Sequence, residues 1–350
     1  MKIAVYAISK NEEQFVERFC SSASDADLVL IADTGSTDAT VELAEAFGAA
    51  VYDITITPFR FDLARNAALA LVPRDIDVCV SLDLDEVLEP GWRAEIERVW
   101  VNGATRMRYS FDWSKGVVFK SDKIHARSGY HWHHPCHETL RADPRLAEVW
   151  ADTDTLLVRH LPDDTKSRAQ YLDLLEVAST EDPHCPRNAI YHARELVFVG
   201  RWADADKALD RYLAMDNVWH GERSYALRLK AKAARALGCT EAIEPLLKRA
   251  AAEAPECREP HIDLAEHHYI CANWQGCLMA SKQALSIFRR PGYYTDDPRA
   301  WGSLPYDLAA IASWHLGMFE DARVFGLAAT QLDPSDTRLA SNLHFYLNHN

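Results

Sequence analysis

The sequence predicts an α/β domain over residues 1–165 followed by an all-α domain over residues 166–350. Three observations predict it. In the first 100 residues, short apolar runs with β-branched residues alternate with helical stretches of about ten residues. Beyond residue 166 the composition turns to Ala and Leu at helical spacing. Turn residues then recur at Gly200, Gly238, Ala272 and Gly317, which marks a degenerate helical repeat.

The elements follow in order. Residues 2–8 form an apolar run with the signature of a buried strand, and 11–22 read as a helix. Residues 27–33 (DLVLIAD) are a second strand. Gly35-Ser36-Thr37-Asp38 is a turn in which Thr37 or Asp38 can cap a helix over 39–47. A third strand covers 49–54, a helix rich in Ala and Leu covers 61–71, and a fourth strand covers 77–83. Strands separated by helices argue for a mostly parallel sheet, with ligands beyond the strands' carboxyl ends. Residues 105–111 and 116–119 read as a meander, and 156–160 as a further strand. Helix pairs are expected over 191–215, 225–255, 261–288 and 306–334, with a long loop at 289–302. Their period is near the ~34 residues of tetratricopeptide repeats. The competing reading is an irregular helical bundle.

Composition narrows the function classes. The 350 residues are 48% hydrophobic and 26% charged, which supplies a core and excludes a disordered chain. The net charge of −14 excludes nonspecific coating of nucleic acid, which needs Lys and Arg on phosphates. The apolar N-terminal run is too short for a secretion signal, and no run reaches the ~18 residues of a membrane span. Eight scattered cysteines without a CxxC read as reduced thiols of a cytoplasmic protein with no membrane insertion.

The chemistry concentrates at Ser81-Leu82-Asp83-Leu84-Asp85-Glu86, at the end of the fourth strand. Asp83 and Asp85 form a DxD pair. Hard carboxylate oxygens suit Mg²⁺ or Mn²⁺, which often bridge to substrate phosphates. The plainer reading is an acidic corner between strand and loop.

The pair does not stand alone. Ser9-Lys10-Asn11-Glu12, Asp33-Thr34-Gly35-Ser36-Thr37-Asp38, Ala64-Arg65-Asn66 and the DxD occur in the order and spacing of family-2 glycosyltransferases. The resemblance covers about residues 1–165 and implies a GT-A, Rossmann-like nucleotide-sugar domain. The helical extension resembles a bacterial and phage subgroup with C-terminal tetratricopeptide-like repeats, one type of which glycosylates peptide cysteines. The implied activity is a hexosyltransferase-like glycosyl transfer, with inversion at the anomeric carbon and a divalent cation (Mn²⁺ or Mg²⁺) as cofactor. Lys10, Asn11, Glu12 and Asp33 would bind the donor, with Asp83 on the ribose and Asp85 on the metal. Arg65 would lie near the diphosphate or hold the aspartates in place, and Asp38 reads as a helix cap. His160 resembles the histidine that completes such metal sites, and Lys166 and Arg168 the basic residues that meet the diphosphate. Pro162 stands where the subgroup has Gly.

The segment from Gly129 to Glu138 holds four histidines at 131, 133, 134 and 137, without the ordered second pair of ligands of a zinc site. Its His137-Glu138 resembles the subgroup's "HE" element. An inverting transferase needs one base on the acceptor, and Glu138 is the first candidate, His137 the second. Trp113, Tyr130 and Trp132 would stack on a sugar or belong to the core.

Residues 106–127 carry six basic side chains, at 106, 108, 115, 120, 123 and 127, against Asp112 and Asp122. They read either as solvated strand edges or as a surface steering a diphosphate or a nucleic-acid acceptor. The expected partners are a nucleotide-sugar donor, UDP-sugar first, and a peptide, protein or saccharide acceptor. A modified nucleic-acid base is the less favoured acceptor, and a homo-oligomer is left open. The competing class is a repeat scaffold with a vestigial transferase half. Residues 1–160 hold 17 basic and 26 acidic residues, an acidic excess in the half meant to bind an anionic donor. A bridging cation resolves that contradiction.

Overall fold

The computed structural model describes residues 1–101, 103–114, 117–163 and 169–348. The chain forms two compact units, Met1–Glu181 and Asp182–Asn350.

The first unit is built in the order β1 (Ile3–Ser9), α1 (Glu13–Ser22), β2 (Leu28–Asp33), α2 (Thr40–Ala46), β3 (Ala50–Asp53), α3 (Phe61–Leu71), β4 (Val78–Ser81), β5 (Glu86–Leu88) and α4 (Trp92–Val99). Then come β6 (Arg106–Ser114), β7 (Val117–Ala126), β8 (Tyr130–His133), β9 (Thr139–Ala142), β10 (Trp150–His160) and α5 (Ala169–Glu181). The junction expected at 165/166 falls within 164–168, outside the described residues, and α5 groups with the first unit.

Eight strands make one mixed sheet in the order β3-β2-β1-β4-β7-β6-β10-β5, and β8 and β9 form a separate hairpin. β1, β2, β3 and β4 are mutually parallel. β7 enters antiparallel between β4 and β6. The β1 side chains explain why the strand reads as a continuous apolar run. Ile3, Val5 and Ala7 pack on one face with Phe15, Val16 and Phe19 of α1 and Ile96 of α4. Ala4 and Tyr6 pack on the other face with Ala68 and Leu69 of α3. A strand covered on both faces has no polar side to alternate with.

One reading of the basic stretch is corrected. The basic strands β6 and β7 are not sheet edges; both lie inside the sheet, and their charges are matched from within the unit. Arg106 pairs with Asp122 and Glu148, and Lys120 with Asp152 and Asp154. Arg127 donates to the backbone carbonyls of Val72 and Ala70. The positive stretch in the sequence is therefore not a run of free charges along the fold, and Lys115 lies outside the described residues. The histidine-rich segment is the β8–β9 hairpin, with Tyr130 and Trp132 buried and His131 and His133 on the alternate face.

The second unit is all helical: α6 (Pro186–Phe198), α7 (Trp202–Leu213), α8 (His220–Ala236), α9 (Ile243–Glu253), α10 (Glu259–Ile270), α11 (Trp274–Leu285), α12 (Leu304–His315), α13 (Phe319–Leu332) and α14 (Thr337–Asn348). Each helix packs on the next, as in a tetratricopeptide-like array. Small residues let the pairs approach: Ala231, Ala265, Ala280, Ala284, Ala309 and Ala312 are all buried. The loop after α11 is tied down, with Tyr293 Oη donating to Glu256 (2.8 Å) and Trp301 Nε1 to Glu259 (2.8 Å).

All four turn positions read from the sequence are left-handed. Gly200, Gly238 and Gly317 have φ of 75°, 78° and 74°, and Ala272 has φ of 53°. No heavy atom lies within 4 Å of a Cβ built on Gly317, so an added methyl meets only the backbone penalty. Gly317→Ala is expected to lower the unfolding free energy by about 1 kcal/mol, and Ala272→Gly to raise it, in urea titrations read by circular dichroism. A destabilised Ala272→Gly variant would count against the left-handed turn.

Candidate active site

The sheet gathers the sequence motifs at the carboxyl ends of β1, β2 and β4. Register sets this: Ser9 at the end of β1 lies beside Asp33 at the end of β2, and Tyr6 beside Ser81 of β4.

Asp33 is 1% exposed, and its own surroundings supply its donors. Its carboxylate accepts from Ser9 Oγ (2.7 Å), Gly35 N (2.9 Å), Ser36 N (2.7 Å) and Ser36 Oγ. Burial alone would raise its pKa, but these hydrogen bonds outweigh it and lower the value. Gly35, with φ of 100°, makes the tight turn that aims two backbone N–H groups at one carboxylate. Asn11 links the two loops, accepting from Thr37 N (2.7 Å) while its own N–H donates to Ser36 Oγ (2.8 Å). Asp38 accepts from Thr40 N (3.0 Å) at the start of α2 and from Glu13 N (3.2 Å) at the start of α1, so one side chain serves two helix ends. The backbone N–H of Glu12 donates to Thr40 Oγ1 (2.7 Å), and Lys10 is exposed at the tip of the β1 loop.

The Ala64-Arg65-Asn66 stretch of α3 has a separate task for each residue. Ala64 is fully buried. Asn66 pairs with the Trp132 backbone through both amide atoms, Nδ2 to O at 2.9 Å and Oδ1 from N at 2.8 Å, docking the β8–β9 hairpin as a strand partner would. Arg65 is 3% exposed and forks between Asp83 and Glu138, with Ser81 Oγ at 3.5 Å. Burial opposes its charge, but the two carboxylates keep it protonated. The His137-Glu138 element is thereby tied to the DxD. His137, in a left-handed conformation (φ 51°), stacks its ring 5.8 Å from that of Tyr171.

Behind this layer runs a buried chain of hydrogen bonds. Trp132 Nε1 donates to Tyr6 Oη (2.9 Å), and Tyr6 Oη meets His125 Nε2 at 3.0 Å. His125 Nδ1 lies 2.8 Å from the Ala126 carbonyl, which needs a proton on Nδ1 and leaves Nε2 to accept from Tyr6. Burial holds the His125 imidazolium down, to a pKa of about 4. Above about pH 6.5 the ring is neutral whether the chain is folded or not. Between about 6.5 and about 4 only the unfolded chain takes up the proton, so stability falls as pH falls. The expected loss across that window is about 3 kcal/mol, and chemical denaturation of wild type against His125→Gln at pH 7 and 4.5 measures it. Equal losses in both proteins would count against the buried neutral histidine.

The DxD turns the corner from β4 to β5. Asp85 Oδ2 lies 3.3 Å from His160 Nε2. Two backbone contacts fix that approach: His160 pairs with Glu86 across β10 and β5, and Leu161 N donates to the Asp85 carbonyl (2.8 Å). His160 Nδ1 donates to the Trp113 carbonyl (3.0 Å), and the ring stacks on the Trp113 indole at 4.4 Å. A backbone carbonyl accepting from one ring nitrogen is how proteins orient histidine ligands, and here it leaves Nε2 on the side of the Asp85 carboxylate. Burial lowers the His160 pKa, but the hydrogen bond and charge of Asp85 reverse this and raise it. Among the described residues no three His, Cys, Asp or Glu side chains are grouped to hold a metal, the histidine-rich hairpin included. One carboxylate and one imidazole fit a cation that takes its remaining ligands from substrate oxygens and water. Lys166 and Arg168 lie outside the described residues.

Two residues that the sequence placed only in an acidic cluster and a basic stretch take part. Glu86 is 2% exposed and Lys123 reaches it from β7, Nζ to Oε1 at 3.0 Å, while Glu86 Oε2 accepts from Asp83 N (3.0 Å). Glu86 stands directly after the DxD, and Lys123 lies in a strand too polar for its place inside the sheet. That mismatch was the available signal.

Residues 5–117 match the family model described as glycosyl transferase family 2. The first unit carries a family-2 glycosyltransferase domain. The chain also matches an uncharacterised glycosyltransferase of Rickettsia bellii, 31% identical over 102 residues. That match spans 29% of this chain and 33% of the relative, so the chain covers about a third of the curated relative's length. Among solved structures, glucosyl-3-phosphoglycerate synthase from Mycobacterium tuberculosis is 25% identical over 33% of this chain and 44% of its own, with a TM-score of 0.28. MamA is 15% identical over 48% of this chain and 89% of its own, with a TM-score of 0.39. No helix among the described residues is long and apolar enough to cross a membrane.

Proposed function

We propose that the transferase domain moves a sugar from a nucleotide-diphosphate donor, UDP-sugar first, to a peptide, protein or saccharide acceptor, in the cytoplasm. The observation that carries this reading is the meeting of Asp85 and His160 at the carboxyl edge of the sheet, beside the Arg65-held pair Asp83 and Glu138. Asp85 and His160 would hold Mn²⁺ or Mg²⁺. That ion supplies charge neutralisation for the leaving diphosphate.

The chain's own residues do the rest. The loops carrying Lys10 to Glu12 and Asp33 to Asp38 shape the donor cleft, and Asp33 acts by setting the second loop rather than by offering an unengaged carboxylate. Asp83, with its side chain 39% exposed and one oxygen on Arg65, offers acceptor oxygens to the donor's ribose hydroxyls. Lys166 and Arg168 complete the diphosphate side. In a single displacement the acceptor attacks the anomeric carbon, the nucleotide diphosphate leaves, and the acceptor's proton passes to a base, with inversion. Glu138 is that base in this reading, with His137 as the alternative. The pairing of Arg106, Lys120 and Lys123 with carboxylates weighs against a nucleic-acid acceptor.

The test is hydrolysis and transfer across a panel of UDP- and GDP-sugars with and without Mn²⁺, with mass spectrometry of peptide and saccharide acceptors. The reading predicts release of nucleotide diphosphate that needs the cation. Neither turnover nor cation-dependent donor binding with any donor would leave the vestigial-scaffold reading in its place.

A further inference from the structure

The two aspartates of the DxD have unequal electrostatic surroundings. Asp83 is bracketed by two cations, Arg65 on Oδ1 and Lys123 Nζ 3.5 Å from Oδ2. Lys123 also meets the buried Glu86 at 3.0 Å and lies 5.9 Å over the Phe111 ring. Asp85 faces His160. Two carboxylates one residue apart ordinarily compete for a divalent ion, or share it. A carboxylate with a cation facing each of its oxygens is a poorer site for a third than one without, even where those cations are shared with Glu138 and Glu86. Lys123 can do this because β7 is inserted next to β4, which carries a lysine from a distant part of the chain beneath the acidic corner.

We propose that Lys123 is a positioning residue that selects between the aspartates. With Arg65 it engages both oxygens of Asp83, leaving Asp83 as a hydrogen-bond acceptor and confining a divalent cation to Asp85. Lys123 acts on the ion through Asp83 and Glu86, not by contact with substrate. This inference rests on the metal reading given above, and it makes a prediction opposite to that of a merely structural lysine. A scaffold residue, when lost, loosens the site and weakens metal binding. A selecting charge, when lost, releases Asp83 to the ion and strengthens it.

The experiment uses the full chain without nucleotide, and Mn²⁺ alone as probe, with free Mn²⁺ read by electron paramagnetic resonance. In wild type, Asp85→Asn is expected to weaken Mn²⁺ binding by about tenfold or more, and Asp83→Asn by about twofold or less. Lys123→Met is expected to tighten Mn²⁺ binding by about tenfold. In that background Asp83→Asn now removes most of the gain. Lys123→Arg, which keeps the charge, returns the dissociation constant to near the wild-type value. If Lys123→Met is too unstable to titrate, Lys123→Met/Glu86→Gln removes both members of the buried pair. There, Asp83→Asn is expected to cost about fivefold or more. Unchanged or weaker Mn²⁺ binding in a folded Lys123→Met variant overturns the proposal, as does a double variant insensitive to Asp83→Asn. Wild-type Mn²⁺ binding that ignores Asp85→Asn is a different failure: it removes the metal reading itself.

Discussion

Asp85→Ala is expected to lower cation-dependent hydrolysis of the preferred nucleotide-sugar by at least about 100-fold, the scale of losing one preorganised charge from a transition-state site. The variant should fold. Asp85 sits at the strand-to-strand corner with its side chain 22% exposed, and its removal leaves His160 anchored by the Trp113 carbonyl and the indole stack. Melting temperature should therefore move little while turnover collapses. Turnover retained within a few-fold, at matched donor and Mn²⁺ concentrations, would sink the assignment of this carboxylate.

Arg65→Met has its largest effect on stability. Arg65 is 3% exposed, and its loss leaves Asp83 and Glu138 without their shared cation. Removing one partner of a buried ion pair typically costs about 3–5 kcal/mol, because the remaining charge stays desolvated. Urea denaturation should show that loss, and Arg65→Met/Glu138→Gln should recover part of it by removing one stranded carboxylate. A double variant no more stable than the single one would mean that Arg65 acts through packing on Trp132, whose ring lies 5.2 Å from the guanidinium. Arg65→Lys should fall between, since an ammonium cannot fork to two carboxylates.

Much of this fold is legible because its local rules agree with its global ones. β1 and β4 are covered on both faces, so their apolar runs could only be buried strands. The helix read over residues 61–71 is α3, Phe61–Leu71. The repeat turns stand out because a helix reversing on itself needs a left-handed residue, and glycine supplies it at three of four positions. Elements that rest on long-range pairing were not legible. The three-residue strand β5 exists because β10 lies beside it, and β8 and β9 exist as a hairpin docked by Asn66. Their sequences carry histidines and acids whose local preferences point elsewhere.

The site divides along the same line. Asp33, Asp83, Asp85 and Arg65 stood out through the motifs that resemble family-2 glycosyltransferases, spread over β2, α3 and the end of β4. His160 was named from the same resemblance as the histidine of that site, and Arg65 as a residue that could hold the aspartates; that Lys123 faces Asp83 and that Glu138 pairs with Arg65 was not. Lys123 reaches Asp83 across 40 positions, Glu138 reaches Arg65 across 73, and His160 reaches Asp85 from the far end of β10. Sequence by itself determined most of the strands and helices that form locally and which loops carry the acids, because those follow from side-chain periodicity and turn chemistry within a few residues. Tertiary structure alone decided which charges compensate one another. Coulomb and desolvation energies depend on distance and burial, and only the order of strands in the sheet sets those.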